Sequence, residues 1–239
     1  MLLLHEVHTL VGRHEEAFAD HVRDGWLPQV ATDADTRLGW YLTLAHGTGR
    51  AYQATTVTLL RDGAAYERLA RRVQHGDLRS WAAHADTMRH EVVGKLLLPV
   101  AWSPALPELD AVPLAPDAPE LDSPALQALF MEDSAWPYEG KLDEYLEAAR
   151  THYAPSLDTR SERSLLELVA VFQAALGAPR RREVVLWQRV LFPERLPALF
   201  TRDLPAAVKQ PGTWMHDALA MRDDWESRLL RTATWSPLH

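Results

Sequence analysis

The chain has 239 residues, 47% of them hydrophobic and nine of them Trp, enough apolar material for one large domain or two of ordinary size. A net charge of −8, with no track of Lys and Arg, excludes an electrostatic grip on nucleic acid or on an anionic membrane. There is no cysteine, hence no disulfide framework, thiolate nucleophile or Cys metal site. The opening MLLLHEVHTL is too short and too early charged for a signal peptide, and no apolar run approaches the ~18 residues of a membrane span, so a cytoplasmic protein is expected.

Residues 2–10 alternate in a way that predicts a strand. Over residues 13–30, Ala17, Phe18, Val22, Trp26 and Leu27 recur at helical spacing, which predicts an amphipathic helix closing near Pro28. Residues 38–45 and 51–60, rich in Tyr, Thr, Val and Leu, predict two strands around the hairpin His46-Gly47-Thr48-Gly49-Arg50. Asp62 reads as the cap of a helix running through Val73. A second helical stretch covers 78–90 and a strand 92–102, giving the order βαββαβ.

Six prolines between Pro104 and Pro124 mark residues 105–124 as a linker. The order then restarts. A strand is expected over 126–133 and a helix over 141–153, stopped by Pro155 as the first is by Pro28. Strands over 165–173 and 183–191 flank Gly177-Ala178-Pro179-Arg180. Helical stretches over 194–204 and 212–226 and a strand over 229–235 complete the copy. The duplication is legible residue by residue: Trp81/Trp214, Met88/Met221, Arg89/Arg222 and the triplets Trp102-Ser103-Pro104/Trp235-Ser236-Pro237 all stand 133 apart. Gly12 answers Gly140 at an offset of 128, so the second copy is expected to be five residues longer in between. Repeats 1–104 and 125–239 each have one apolar sheet face to cover. They are therefore expected to pack two antiparallel sheets face to face within one chain, helices outside.

This α+β pattern, with a Trp in each late helix and an apolar last strand, resembles the dimeric α+β barrel superfamily of ferredoxin-like folds, and in its tandem form NIPSNAP-like proteins. The usual NIPSNAP opening strand, of Tyr-Glu-Leu-Arg type, is replaced here by His5-Glu6-Val7-His8. The resemblance implies a pocket between the sheets and a membership that spans cofactor-free monooxygenases, cyclases, isomerases, haem enzymes and proteins without known activity. It also implies that one chain can supply the pairing that single-unit relatives achieve by dimerising, as a monomer or a further homodimer.

Candidate chemistry centres on histidine. His84 stands three residues after Trp81 and four before Met88, on one helical face, and its counterpart in the second copy is Asp217. A base and its orienting carboxylate could meet near the twofold axis relating the repeats; the alternative is two polar residues at helix edges. His5 and His8 are three apart on a strand and so point to opposite faces, which rules out a chelating pair. His5 lies with Leu3 and Val7, His8 with Leu4, Glu6 and Leu10, and neither pattern says which face is inward. Trp40, Tyr41, Tyr52, Phe172 and Trp187 on the middle strands, with Trp81 and Trp214, are expected to line an apolar substrate cavity or else to form sheet core. The repeated Trp-Ser-Pro suits structural closure. No metal-ligand spacing, phosphate loop or hydrolase elbow is present. The leading expectation is an enzyme acting without cofactor on a hydrophobic, aromatic or polyketide-like substrate between the repeats, by oxygenation, cyclisation or isomerisation with His acid-base help. The alternatives are a non-catalytic binding or interaction protein and a haem protein.

Overall fold

The computed structural model describes residues 1–114, 127–157, 164–177, 182–203 and 205–239. The first repeat runs β1 (Leu2–Leu10), α1 (Glu15–His21), a π-helical turn (Val22–Trp26), α2 (Leu27–Val30), β2 (Thr36–Leu44), β3 (Gln53–Leu60), α3 (Gly63–His75), α4 (Arg79–Asp86) and β4 (Arg89–Pro99). The second runs β5 (Leu129–Pro137), α5 (Leu142–Ala148), a π-helical turn (Ala149–Tyr153), α6 (Ala154–Ser156), β6 (Leu166–Leu176), β7 (Val184–Val190), α7 (Leu196–Thr201), α8 (Trp214–Asp217) and β8 (Arg222–Thr232). The Asp62 cap forms as expected, its carboxylate accepting from the Ala65 N–H at 2.9 Å.

Several boundaries differ from the sequence expectation, and the main ones have a physical reason. The first helix continues past Pro28, and its twin past Pro155, because a π-turn precedes each proline. The Leu27 N–H reaches back five residues to Val22, and Ala154 to Ala149, so the proline falls where the hydrogen-bond ladder is already shifted. β4 and β8 begin at Arg89 and Arg222, although residues 89–90 and 222–226 read as helix. Their pairing with β1 and β5 overrides a polar, helix-compatible sequence. β5 is displaced toward Pro137, since Ser134, Ala135 and Trp136 extend the pairing with β8.

The two units superpose through matched hydrogen bonds. The Val11 N–H donates to the Met88 carbonyl (2.9 Å) and the Tyr138 N–H to Met221 (2.8 Å), an offset of 127 at the start and 133 at the end. The side chains of Trp26 and Thr58 bond as those of Tyr153 and Gln188 do, an offset of 127 on the helix and 130 on the strand. The second copy is therefore six residues longer between these points, and Gly140 lies one position past the true counterpart of Gly12.

The sheets β4-β1-β3-β2 and β6-β7-β5-β8 face each other and also join at both edges, through β2–β8 and β4–β6, closing an eight-stranded barrel. The Trp-Ser-Pro triplets stitch these seams reciprocally. Ser103 Oγ accepts from the Val171 N–H of the second repeat (2.9 Å), and Ser236 Oγ accepts from Tyr41 N–H of the first (3.1 Å). One core fills the barrel with residues of both repeats; two others lie between each outer sheet face and its helices. The start of the Pro-rich segment belongs to the barrel, because Leu109 and Val112 are buried in the inner core. Pro116, Pro119 and Pro124, and most of the second predicted hairpin, lie outside the described residues.

Candidate functional site

Alternation on β1 assigns the two histidines. His5 points into the barrel and His8 outward beneath the helices, both buried. On the outer side, a pocket of about 300 Å³ lies between the sheet of the first repeat and α3, α4 and the π-turn, with Leu176 and Gly177 of the second repeat at its edge. Trp26, Tyr66, Leu69, Val73 and Trp81 form the apolar wall; Glu6, His8, Thr56 and Arg89 supply polar groups on the floor. The Trp81 indole lies parallel to the His21 ring (4.8 Å, 4°) and directly against the π-turn, where a Cβ on Gly25 would come within 2.7 Å of it.

The polar floor is ordered. Arg89 donates to His8 Nδ1 at 2.9 Å and is held by Asp86 at 2.6 Å. A guanidinium does not act as acceptor, so Nδ1 is the accepting nitrogen and the proton sits on Nε2, which donates to Thr56 Oγ1 at 3.0 Å. Burial first, then the charges of Arg89 and His5, push His8 down to about 3, so it is neutral at ordinary pH. Glu6 differs: no hydrogen bond to its carboxyl group is formed by any described residue. Burial raises its pKa, and Arg89 only partly offsets that. Its cross-strand partner Gly94 sets no side chain beside it; a Cβ there would make ordinary contact, 3.5 Å from Glu6 Cγ and 3.8 Å from Oε1.

Inside the barrel the expected substrate cavity is not formed by aromatics. Trp40, Phe172 and Trp187 are brought together, but as packed core, with Trp187 centroids 5.0 Å from Trp40 and 6.1 Å from Phe172. Inside the barrel there is also a polar cavity of about 240 Å³. There His5 Nε2 meets Glu132 at 2.7 Å, Arg228 meets Glu132 at 2.6 Å, and Lys95 meets Glu183 at 2.5 Å. Burial alone would raise Glu132, but Arg228, His5 and Lys95 outweigh it and hold the carboxylate well below its usual range. Burial lowers His5, against the pull of Glu132.

Other expected site residues are dispersed. His84 and Asp217 are both exposed, on α4 and α8 of different repeats; His84 stands edge-on to His21, and Asp217 bonds His216 and the Gly212 N–H, so no base–carboxylate pair forms. Tyr41 is buried on the outer face against Trp235, while Tyr52 is 52% exposed at the hairpin with φ of 57°. Trp81 lines the first pocket and Trp214 a second one in the other repeat. Glu6 and Arg89, which stand on the pocket floor, are not among the residues that the sequence singles out for function. The signal for both was a charge recurring at equivalent positions of the two copies, Glu6 with Asp133 and Arg89 with Arg222.

No group of three or more metal-binding side chains occurs among the described residues. Nor does either helix-covered pocket offer a free imidazole for haem: both nitrogens of His8 are engaged, and the second pocket has no His among its described lining. No described helix is long and apolar enough to cross a membrane.

No protein-family model and no curated protein sequence matches the chain. Solved structures do. A candidate monooxygenase from Lactobacillus acidophilus aligns with TM-score 0.58 at 9% identity, over 99% of this chain and 97% of that one. An anthrone oxidase-like protein aligns with TM-score 0.54 at 11% identity, over 97% and 91%. A NIPSNAP domain protein from Burkholderia xenovorans is similar over 44% of this chain and 100% of that one, at 13% identity and TM-score 0.37. The chain thus has the dimeric α+β barrel fold, with both ferredoxin-like units in one polypeptide.

Proposed function

We propose that the chain is an enzyme that binds a flat, hydrophobic small molecule in the helix-covered pocket of the first repeat and removes from it a proton acidified by a neighbouring carbonyl or aromatic ring. The observation that carries this reading is Glu6, a carboxyl group without a hydrogen-bond partner among the described residues, on the floor of a pocket with an apolar wall. Glu6 is the base, and Arg89 balances the enolate or phenolate that forms. His8, neutral and fixed by Thr56, positions Arg89. Isomerisation and cyclisation start with this step. Oxygenation does too, with dioxygen as co-substrate and the deprotonated substrate as electron donor, and the names borne by the barrel's structural neighbours support that branch.

The test uses aryl ketones with an acidic methylene, anthrone among them. Without oxygen, wild type is expected to accelerate hydrogen–deuterium exchange at the methylene. In air it is expected to convert anthrone and O₂ to anthraquinone and water. Glu6→Gln is expected to lower both rates about 100-fold or more with binding retained. Binding of the whole panel by wild type without any exchange would make this a binding protein instead.

A further inference from the structure

A second pocket, of about 380 Å³, occupies the equivalent place in the second repeat, between the outer sheet face and the helical segments, with the half-exposed Met215 and Trp225 among its lining. The offsets fixed by the hydrogen bonds put Asp133 where Glu6 stands, Arg222 where Arg89 stands, Trp214 in place of Trp81 and Tyr153 in place of Trp26. The acid–base surroundings have diverged. Ala135 and Leu186 replace His8 and Thr56, so no imidazole reaches this floor. One Asp133 oxygen is instead taken by Gln188 Nε2 at 2.8 Å, and Gln188 accepts from the Tyr153 hydroxyl.

Three buried atoms at this pocket lack a hydrogen bond of good geometry: Asp133 Oδ1, an acceptor, Arg222 Nε, a donor, and the Tyr145 hydroxyl, which can be either. Asp133 and Arg222 both line the pocket, and the burial-driven rise of the Asp133 pKa is restrained by the Ser227 hydroxyl and the Gln188 amide first and by the charge of Arg222 after them. An orphaned buried polar atom costs about 1–3 kcal/mol. An acceptor beside a donor is complementary to a hydroxyl group, whose hydrogen goes to the carboxyl oxygen while its own oxygen accepts from Nε–H.

We infer that the second repeat holds a separate site that binds a hydroxylated aromatic molecule, so that one chain takes two ligands at two chemically different pockets. The inference rests on the geometry of the second repeat and not on the chemistry of Glu6.

The test is calorimetric titration with 1-naphthol, and with naphthalene as the probe lacking the hydroxyl. It compares wild type, Ser227→Trp to fill the second pocket and Ala82→Trp to fill the first, with folding checked by circular dichroism and thermal unfolding. Wild type is expected to bind two equivalents of naphthol and each filled variant one. Asp133→Asn is expected to weaken the second-site affinity for naphthol about 10-fold or more and leave naphthalene unchanged. Should Ser227→Trp unfold, Trp225→Ala replaces it and is expected to weaken the same event. One equivalent that Ala82→Trp abolishes and Ser227→Trp spares overturns the inference while keeping the first pocket. One equivalent with the reverse pattern upholds the second site and overturns the first. No binding, or two equivalents indifferent to Asp133→Asn, overturns it.

Discussion

At neutral pH Glu6 is held at a cost to stability. Burial raises its folded pKa above the ~4.3 of an unfolded Glu, so the folded state holds the proton more tightly than the unfolded chain. The sign follows: the stabilising contribution is full below the unfolded value and is lost as pH rises through the folded one. Glu6→Gln is expected to melt higher than wild type at pH 8 and level with it at pH 4. Each kcal/mol relieved would show as a difference of roughly 2–4 °C. Equal melting of the two proteins at both pH values would mean that Glu6 ionises freely, and its case as a tuned base would fall. Residues such as this one were only half legible in the sequence. Alternation on β1 showed that His5 and His8 part company, but both faces carry leucines, since one lines the barrel and the other the helices. His84 failed for a related reason: Trp81, Ala85 and Met88 turn inward, and one step around the helix leaves His84 on the rim against His21.

At the scale of elements, the seams decide how firmly the barrel closes. The Tyr41 N–H donates to the fully buried Ser236 Oγ, whereas the equally buried Val171 is served by Ser103, which is half-buried. Ser236→Ala is expected to cost about 1–3 kcal/mol in urea unfolding, and Ser103→Ala less. Equal, negligible effects would show that the strand pairs close the seams unaided. The sequence marked both triplets as structural because they recur. It could not show that each staples the other repeat, since a seam is a contact between residues about 70 and 195 positions apart. The starts of β4 and β8 escaped for the same kind of reason: their polar first residues are strand only by virtue of the partner strand beside them.

At the scale of the molecule, duplication carried the fold from sequence to barrel, because one 24-residue match of Trp, Met, Arg and Leu constrains the remainder by symmetry. The site was less legible, since the equivalence of Glu6 with Asp133 emerges only at offset 127, and the offset of the sequence anchor Gly12–Gly140 is one residue greater. The same offset makes His5 and Glu132 counterparts, and they touch at 2.7 Å, which places their contact on the axis relating the repeats. His5→Glu is expected to cost about 3–5 kcal/mol by setting two buried carboxylates together. Adding Glu132→His should recover part of that, with a coupling of about 1–3 kcal/mol in a double-mutant cycle. Purely additive losses would mean the pair contributes nothing specific.

That contact also bears on which halves can live together. In a twofold assembly of identical units, a residue on the axis meets only itself, so a single-unit ancestor would set histidine against histidine or carboxylate against carboxylate. Fusing the units let the two positions become opposites. Having done so, they discriminate: a pairing of two first repeats would bury two imidazoles side by side, and a pairing of two second repeats would bury two glutamates. Each half is thereby fitted to its complement and set against its own copy, a choice of mate written into one histidine and one glutamate.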